Sequence, residues 1–300
     1  MCCIRTQGTD ILNYIQLVLG VKSGHVRVLD TSDGHVIGAD HRSQYRLRGL
    51  SVHESHLWTC DASGQLTASH VTSPHEHTAN VVIAQTNPRK DAPAVDKWLA
   101  NTSHSRAVVI SKGHVPSVWS LECLDAPYRP VWSAKNVSND WLDVNVALHD
   151  SDVTWIDDMT HQFIVTTQSG QIRTYDTRAQ RRPVSDWALG ASRADRSAGP
   201  DSIRDQFPLS LVRWSAHHSS QVVVADPLGN VWVCDRREGR AESIDHRRGL
   251  SYHKGGWKRG PCAPVIARLE GLVGAARDVQ WSLDGEHLAA VGLDRFIHIW

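Results

Sequence analysis

The sequence predicts an all-β protein, a β-propeller with six recognisable blades of an expected seven, the N-terminal blade being missing or degenerate. Three observations carry this reading. A hairpin of one plan recurs six times in 300 residues, each copy being two runs rich in β-branched and aromatic residues around a polar turn. Five of the six turns hold a glycine, which reaches positive φ at little cost. Three of the hairpins follow a strand that ends in Trp. A unit of strand, polar turn, strand, Gly turn, strand is one propeller sheet. A β-sandwich of hairpins would give no reason for the repeated Trp-ended strand.

In chain order, residues 1–15 are uninformative, and 16–300 read as the propeller. The hairpins are QLVLGVKSGHVRVLD at 16–30 (turn Gly24), HLWTCDASGQLTASHV at 56–71 (Gly64) and RAVVISKGHVPSVWSL at 106–121 (Gly113). QFIVTTQSGQIRTYD follows at 162–176 (Gly170), then SQVVVADPLGNVWVCD at 220–235 (Gly229) and HLAAVGLDRFIHIW at 287–300, which turns on Leu293-Asp294. The Trp-ended strands hold Trp155, Trp214 and Trp281. VQWSLDGEHLAAVGLDRFIHIW is close to the WD-repeat consensus throughout. Successive hairpins end 41, 50, 55, 59 and 65 residues apart. A WD repeat takes roughly 40 to 45, so later blades must carry extra loop. The extra length falls in the polar stretch 75–93 and in long insertions at about 188–207 and 236–264. Residues 236–260 hold eight basic against three acidic side chains, a loop that can bind phosphate and that more often is only solvated. The propeller is expected to be incomplete at both ends. No good strand pair precedes Gln16, the sequence stops on the Trp of a WD dipeptide, and an unclosed propeller exposes strand edges.

Composition excludes several classes. Thirty-two basic and 32 acidic residues cancel, so global charge signals no nucleic-acid partner. No apolar run approaches the roughly 20 residues of a membrane span. Of the six cysteines (Cys2, Cys3, Cys60, Cys123, Cys234, Cys262) none forms a CxxC pair, and Cys60 and Cys234 fall inside strands as small hydrophobes. That usage favours a reduced intracellular compartment. Asn101 and Asn136 open glycosylation triplets, which mean nothing without secretion. The histidine groups at 53–56, 75–77 and 217–218 lie in turns and loops without ligand spacing, and Asp157-Asp158 suits a turn better than acid–base work. No phosphate-binding glycine loop or nucleophile elbow occurs. The sequence therefore predicts no enzyme, cofactor, metal or small-molecule substrate.

Three stretches depart from generic repeat wording: AKNVSNDWLDVNV at 134–146, QIRTYDTRAQRRPV at 171–184, and GLVGAARDVQW with AAVGLDRFIHI in the last repeat. They resemble the WD repeat-containing protein 74 and Nsa-one family of large-subunit ribosome-biogenesis factors, in order from about the first hairpin to Trp300. The KNVxNDWLD motif is the specific part. The resemblance implies a seven-bladed scaffold of the nucleus and nucleolus that docks on precursors of the large ribosomal subunit. It also implies contact with assembly proteins, with rRNA phosphates as a further contact, and release by an AAA-type ATPase. The family's first blade and Lys/Arg-rich tail have no counterpart here, and both insertions are longer than its pattern.

On the residues themselves, Lys135, Asn136, Asn139, Asp140, Trp141 and Asp143 offer donors and acceptors beside a large amphipathic ring, as a protein-contact hot spot does. Equally, Asn136 and Asn139 can shape the turn and Trp141 can be core. Arg178, Arg181 and Arg182 leave the strand at Asp176, where they can meet phosphates or an acidic partner while adding little to folding. In the last turn, Asp294 is expected to hold backbone N–H groups and Arg295 to face outward. The fold serves a ubiquitin-ligase or chromatin adaptor equally well, and that is the alternative function.

Overall fold

The computed structural model describes residues 2–5, 15–20, 25–30, 41–43, 45–53, 56–70, 77–82, 95–122, 129–139, 143–156, 161–189, 208–215, 217–236, 252–253, 256–257, 265–282 and 284–300. They fall into two compact units, Met1–Trp132 and Ser133–Trp300.

The first unit is three antiparallel meanders. Strands β1 (Cys2–Arg5), β2 (Ile15–Gly20), β3 (His25–Asp30) and β4 (His41–Arg42) form one sheet in that order. The second holds β5 (Leu47–His53), β6 (His56–Asp61), β7 (Gln65–His70) and β8 (His77–Val82). The third runs from β9 (Val95–Ala100) through β10 (Arg106–Ser111) and β11 (Ser117–Ser120) to β12 (Trp132–Ser133), where the unit ends. β1 pairs with β2 from Cys2↔Val18 to Arg5↔Ile15, so residues 1–15 contain a strand that the sequence reading left out. Four residues without alternation or a bounding turn give too little signal to read. Cys60, Leu66, Val95, Trp98, Val109 and Trp119 make the core between the second and third sheets.

The second unit repeats the plan. β13 (Asp150–Ile156), β14 (Gln162–Thr167), β15 (Gln171–Asp176) and β16 (Ser185–Ala188) form one sheet in order. β17 (Leu211–Trp214), β18 (Gln221–Ala225) and β19 (Val231–Asp235) take their fourth strand from β22 (Val265–Leu269), across the basic insertion. Within that insertion β20 (Tyr252–His253) and β21 (Gly256–Trp257) pair, and the rest of 237–264, like 190–207, lies outside the described residues. β23 (Ala276–Trp281), β24 (Leu288–Gly292) and β25 (Ile297–Ile299) form a three-stranded sheet. Among the described residues, then, five sheets have four strands and one has three.

The local chemistry explains these elements. In β14 and β15 every residue after the first is buried, because the middle strands of a sheet have neighbours on both faces; β14 accordingly carries the apolar run Phe163–Val165, while β15 buries Arg173, Thr174 and Asp176 as well. Trp155, Trp214 and Trp281 pair with Phe163, Val222 and Leu288, which puts all three at the same end of their sheets. Gly170 (φ 75°) and Gly229 (φ 99°) supply the left-handed turn residue. Asp61 and Asp226 hold their turns by accepting backbone N–H groups from Ser63 and Gln65, and from Leu228 and Asn230. Two apolar cores join the three larger sheets of this unit, one around Ile164, Trp187, Leu209 and Val224, the other around Leu211, Val233, Val279 and Leu288. No described helix is long and apolar enough to cross a membrane.

Candidate docking surface

The second unit opens with a strap, described at 134–139 and 143–149 and without a strand there, that bonds to the turn between β15 and β16. The sequence makes it a strap by spending its amides on its own backbone. Asn136 Nδ2 donates to Asn145 Oδ1 (2.9 Å) and Val146 O (2.7 Å), while its Oδ1 accepts from Val137 N–H (2.9 Å). Asn139 Nδ2 donates to Asp143 O (3.2 Å) and Oδ1 (2.9 Å), and Asp143 sits at φ 60°. A chain whose backbone groups are taken up this way does not enter a ladder. Asn136 and Asn139 therefore shape the turn, as one of the two sequence readings had it. Asp140 and Trp141 lie outside the described residues.

The turn after Asp176 is built to hold the strap. Asp176 accepts from Arg178 N–H (2.9 Å) and from the Gln162 amide (2.8 Å). Burial pushes its carboxyl up, and these bonds outweigh burial and hold it below the usual carboxylate range. The Lys135 N–H donates to Arg181 O at 2.8 Å. Arg181 Nε donates to Ser133 O at 2.6 Å, and Arg182 Nε to Asn136 O at 3.3 Å. This corrects the expectation that the two arginines add little to folding: each guanidinium carries part of the strap. The sequence could not show it, since their partners are backbone carbonyls 48 and 46 residues away.

Lys135, Arg178, Arg181 and Arg182 are exposed, and so are Asn139 and Asp143. With Nε engaged, the two arginines still present their Nη groups, a geometry suited to carboxylate or phosphate oxygens. Arg178 Nε stands 3.7 Å from Asp176 Oδ1, an exposed pair that contributes little. Exposed Val144 and Val184 supply apolar area on the same two segments. Arg295, the remaining candidate, belongs to another element. It is exposed at φ 65° in the β24–β25 turn, where Asp294 accepts from Phe296 N–H (3.3 Å) and Val273 N–H (3.1 Å), as expected of it.

Among the described residues no group of three or more metal-ligating side chains converges. Burial pushes the Cys234 thiol up to about 12 and the Cys60 thiol further, so neither presents a thiolate. Asn101 is buried, with its amide donating to Ser103 and Ser105 Oγ, so that glycosylation triplet is structural.

Two charge clusters, each built on one buried charge, Asp152 and Arg173, escaped the sequence reading. Arg213 of β17 bridges the inner strands on either side, with Nη1 2.6 Å from Asp152 Oδ2 and Nη2 2.5 Å from Asp278 Oδ1. Arg173, 1% exposed, donates to Asp186 Oδ2 (3.3 Å) and Gln171 Oε1 (2.6 Å). An Arg inside a strand of the repeat, as in LVRW or QIRTYD, was the available signal.

Antiparallel meanders with Trp-ended first strands define a WD40-type β-propeller protein, and the comparisons agree. A chain of the mitotic checkpoint complex superposes with TM-score 0.61 over 96% of this chain and 70% of its own, at 14% identity. The WD40 β-propeller domain of Doa1 gives 0.61 over 95% and 74%, at 12%. No family model matches the sequence. Its relatives include WD repeat-containing protein 74 of Homo sapiens, 26% identical over 288 residues, and that protein in Mus musculus and Bos taurus, each 25% identical. All three likenesses cover 95% of this chain, which bears out the resemblance carried by KNVSNDWLD. The chain spans 62% of the length of these relatives.

Proposed function

We propose that this chain is a non-catalytic scaffold that docks on precursors of the large ribosomal subunit and serves their assembly and rRNA processing in the nucleolus. The observation that carries the reading is the strap pinned by Arg181 and Arg182: the described residues of the motif, Lys135 to Asn139, and the Arg pair of the second stretch come together in one exposed, cationic surface. Likeness to WD repeat-containing protein 74 along 95% of the chain supports it. In this reading Lys135, Arg178, Arg181 and Arg182 meet rRNA phosphates or acidic assembly proteins, Asn139 and Asp143 fix the register of the contact, and an AAA-type ATPase releases the factor. Neither a membrane nor a small-molecule substrate enters the role.

The test is purification of the tagged chain, followed by sedimentation and identification of what travels with it. The proposal expects precursor particles of the large subunit, retained through a moderate salt wash. Recovery only with ubiquitin-ligase components or histones would overturn it in favour of an adaptor role.

A further inference from the structure

A second exposed surface, on different elements of the same unit, carries an inference beyond that reading. Three turn tips meet there. The backbone of Gly229, in the β18–β19 turn, lies hard against Gly274 O and Leu272 O of the linker before β23. Gly274 in turn faces the Leu293 side chain, so any β-carbon there would sit 3.5 Å from Leu293 Cβ. The residue before Gly229, the residue before Gly274 and Leu293 itself are all large, apolar and open: Leu228 is 67%, Val273 73% and Leu293 57% exposed. Single exposed apolar side chains are ordinary, but three on touching turn tips make a patch, the usual mark of a contact site.

The patch is preformed. Gly229, Gly271, Gly274 and Arg295 all hold positive φ, so its backbone occupies conformations that most residues resist. Asp294 ties linker to turn, accepting from Val273 N–H and Phe296 N–H and lying 2.6 Å from His298 Nε2. Those bonds occupy Asp294; Asp226, beneath Leu228, is fully buried and accepts from Leu228 and Asn230 N–H; and Glu270, at the margin, stands 3.8 Å from Arg268 Nε. Arg268 is also exposed but is engaged by Asn230 Oδ1 (2.7 Å) and Glu270, and among the described residues two further exposed guanidiniums stand at the rim. Arg295 is in the turn, and Arg277 is turned outward by the bulge between Ala276 and Asp278 that opens β23. The surface is therefore apolar at its centre and positive at its edge.

We infer that the turn tips around Leu228, Val273 and Leu293 form a docking site for a protein segment that carries large apolar side chains flanked by Asp or Glu. Large side chains of the segment cover the three tips, and its carboxylates meet Arg277 and Arg295. A rigid apolar centre with a charged rim is how a small contact gains both affinity and register.

The test pans a random peptide library displayed on phage against the 300-residue chain. Binders to Leu228→Asp/Val273→Asp/Leu293→Asp, whose changes lie on exposed turns, are subtracted after circular dichroism shows that variant folded. Recovered peptides are then measured by fluorescence anisotropy. The inference expects peptides with two or more of Leu, Ile, Phe or Trp beside acidic residues, at least about tenfold weaker on the triple variant. It expects a loss of about tenfold on Arg277→Glu/Arg295→Glu, growing smaller as salt is raised. If the variant fails to fold, the Arg pair alone decides. Enrichment of nothing that separates the chain from its variants, or of basic or polar peptides, overturns the inference. So does self-association of the chain in sedimentation velocity that the variants abolish, since the occupant would then be a second copy.

Discussion

Replacing Arg181 and Arg182 by Ala tests whether the strap is held from outside or holds itself. The double change removes the Nε donors to Ser133 O and Asn136 O and leaves the Lys135 N–H bond to Arg181 O in place, because that bond uses only backbone. A net hydrogen bond is worth about 0.5 to 1.5 kcal/mol, and exposure puts both of these toward the lower end. The pair should therefore cost about 1 to 2 kcal/mol. For a domain this large that is a fall of roughly 2 to 8 °C in Tm. The assay is thermal unfolding followed by intrinsic fluorescence, joined to hydrogen exchange read by mass spectrometry on peptides spanning 133–139. Faster exchange there, with the β14–β15 hairpin unchanged, is the expected pattern. Equal melting and equal exchange would refute the reasoning, because the strap would then be self-supporting through Asn136 and Asn139.

Other outcomes follow from the buried charges and the tight turns. Asp150 is only partly buried as a residue, yet both its carboxyl oxygens are buried and, among the described residues, without a hydrogen-bond partner, and burial raises its pKa from 3.8 to about 7. Because the folded value exceeds the unfolded one, stability is greatest below about pH 4 for this group and is lost as pH rises through 7. Asp150→Asn should thus stabilise the protein at pH 8 by about 2 to 4 kcal/mol and flatten the pH dependence of urea unfolding; no gain at pH 8 would contradict it. Arg213→Ala should cost about 3 to 5 kcal/mol by stranding buried Asp152, and an added Asp152→Ala should recover part of that in a double-mutant cycle. Gly229→Ala combines positive φ with a backbone clash against Gly274 O, and should lower stability by more than about 2 kcal/mol in chemical denaturation.

What the sequence made legible was the repeat and its punctuation. Hairpins, turn glycines and Trp-ended strands were readable because a two-residue period and a residue that tolerates positive φ are local signals. β1 was not readable, since four residues gain their strand character only from pairing with β2. The fourth strand of the β17–β19 sheet was hidden differently: β22 joins from across an insertion of nearly thirty residues, and no local pattern records that partner. In the candidate surface, KNVSNDWLD and RRP could be singled out as wording, and Asn136 and Asn139 as turn builders. That Arg181 and Arg182 clasp the strap was not written in their spacing, because backbone carbonyls have no residue signature. The Arg213 bridge was missed for a related reason. A lone Arg in a strand shows that something must pair it, but not which neighbouring strand supplies the carboxylates.

The central claim is that the strap and its turn are a surface for docking on ribosomal precursors, and two side chains test it without touching the fold. Lys135 and Arg178 are exposed, and among the described residues neither side chain bonds to the rest of the strap. The measurement is co-sedimentation of the purified chain with isolated precursor particles of the large subunit across a salt series, for wild type and for Lys135→Glu/Arg178→Glu. With melting unchanged, the account predicts weaker binding of the variant and a salt dependence shallower by about one to two phosphate contacts. Wild-type binding and an unchanged slope in the variant would contradict it.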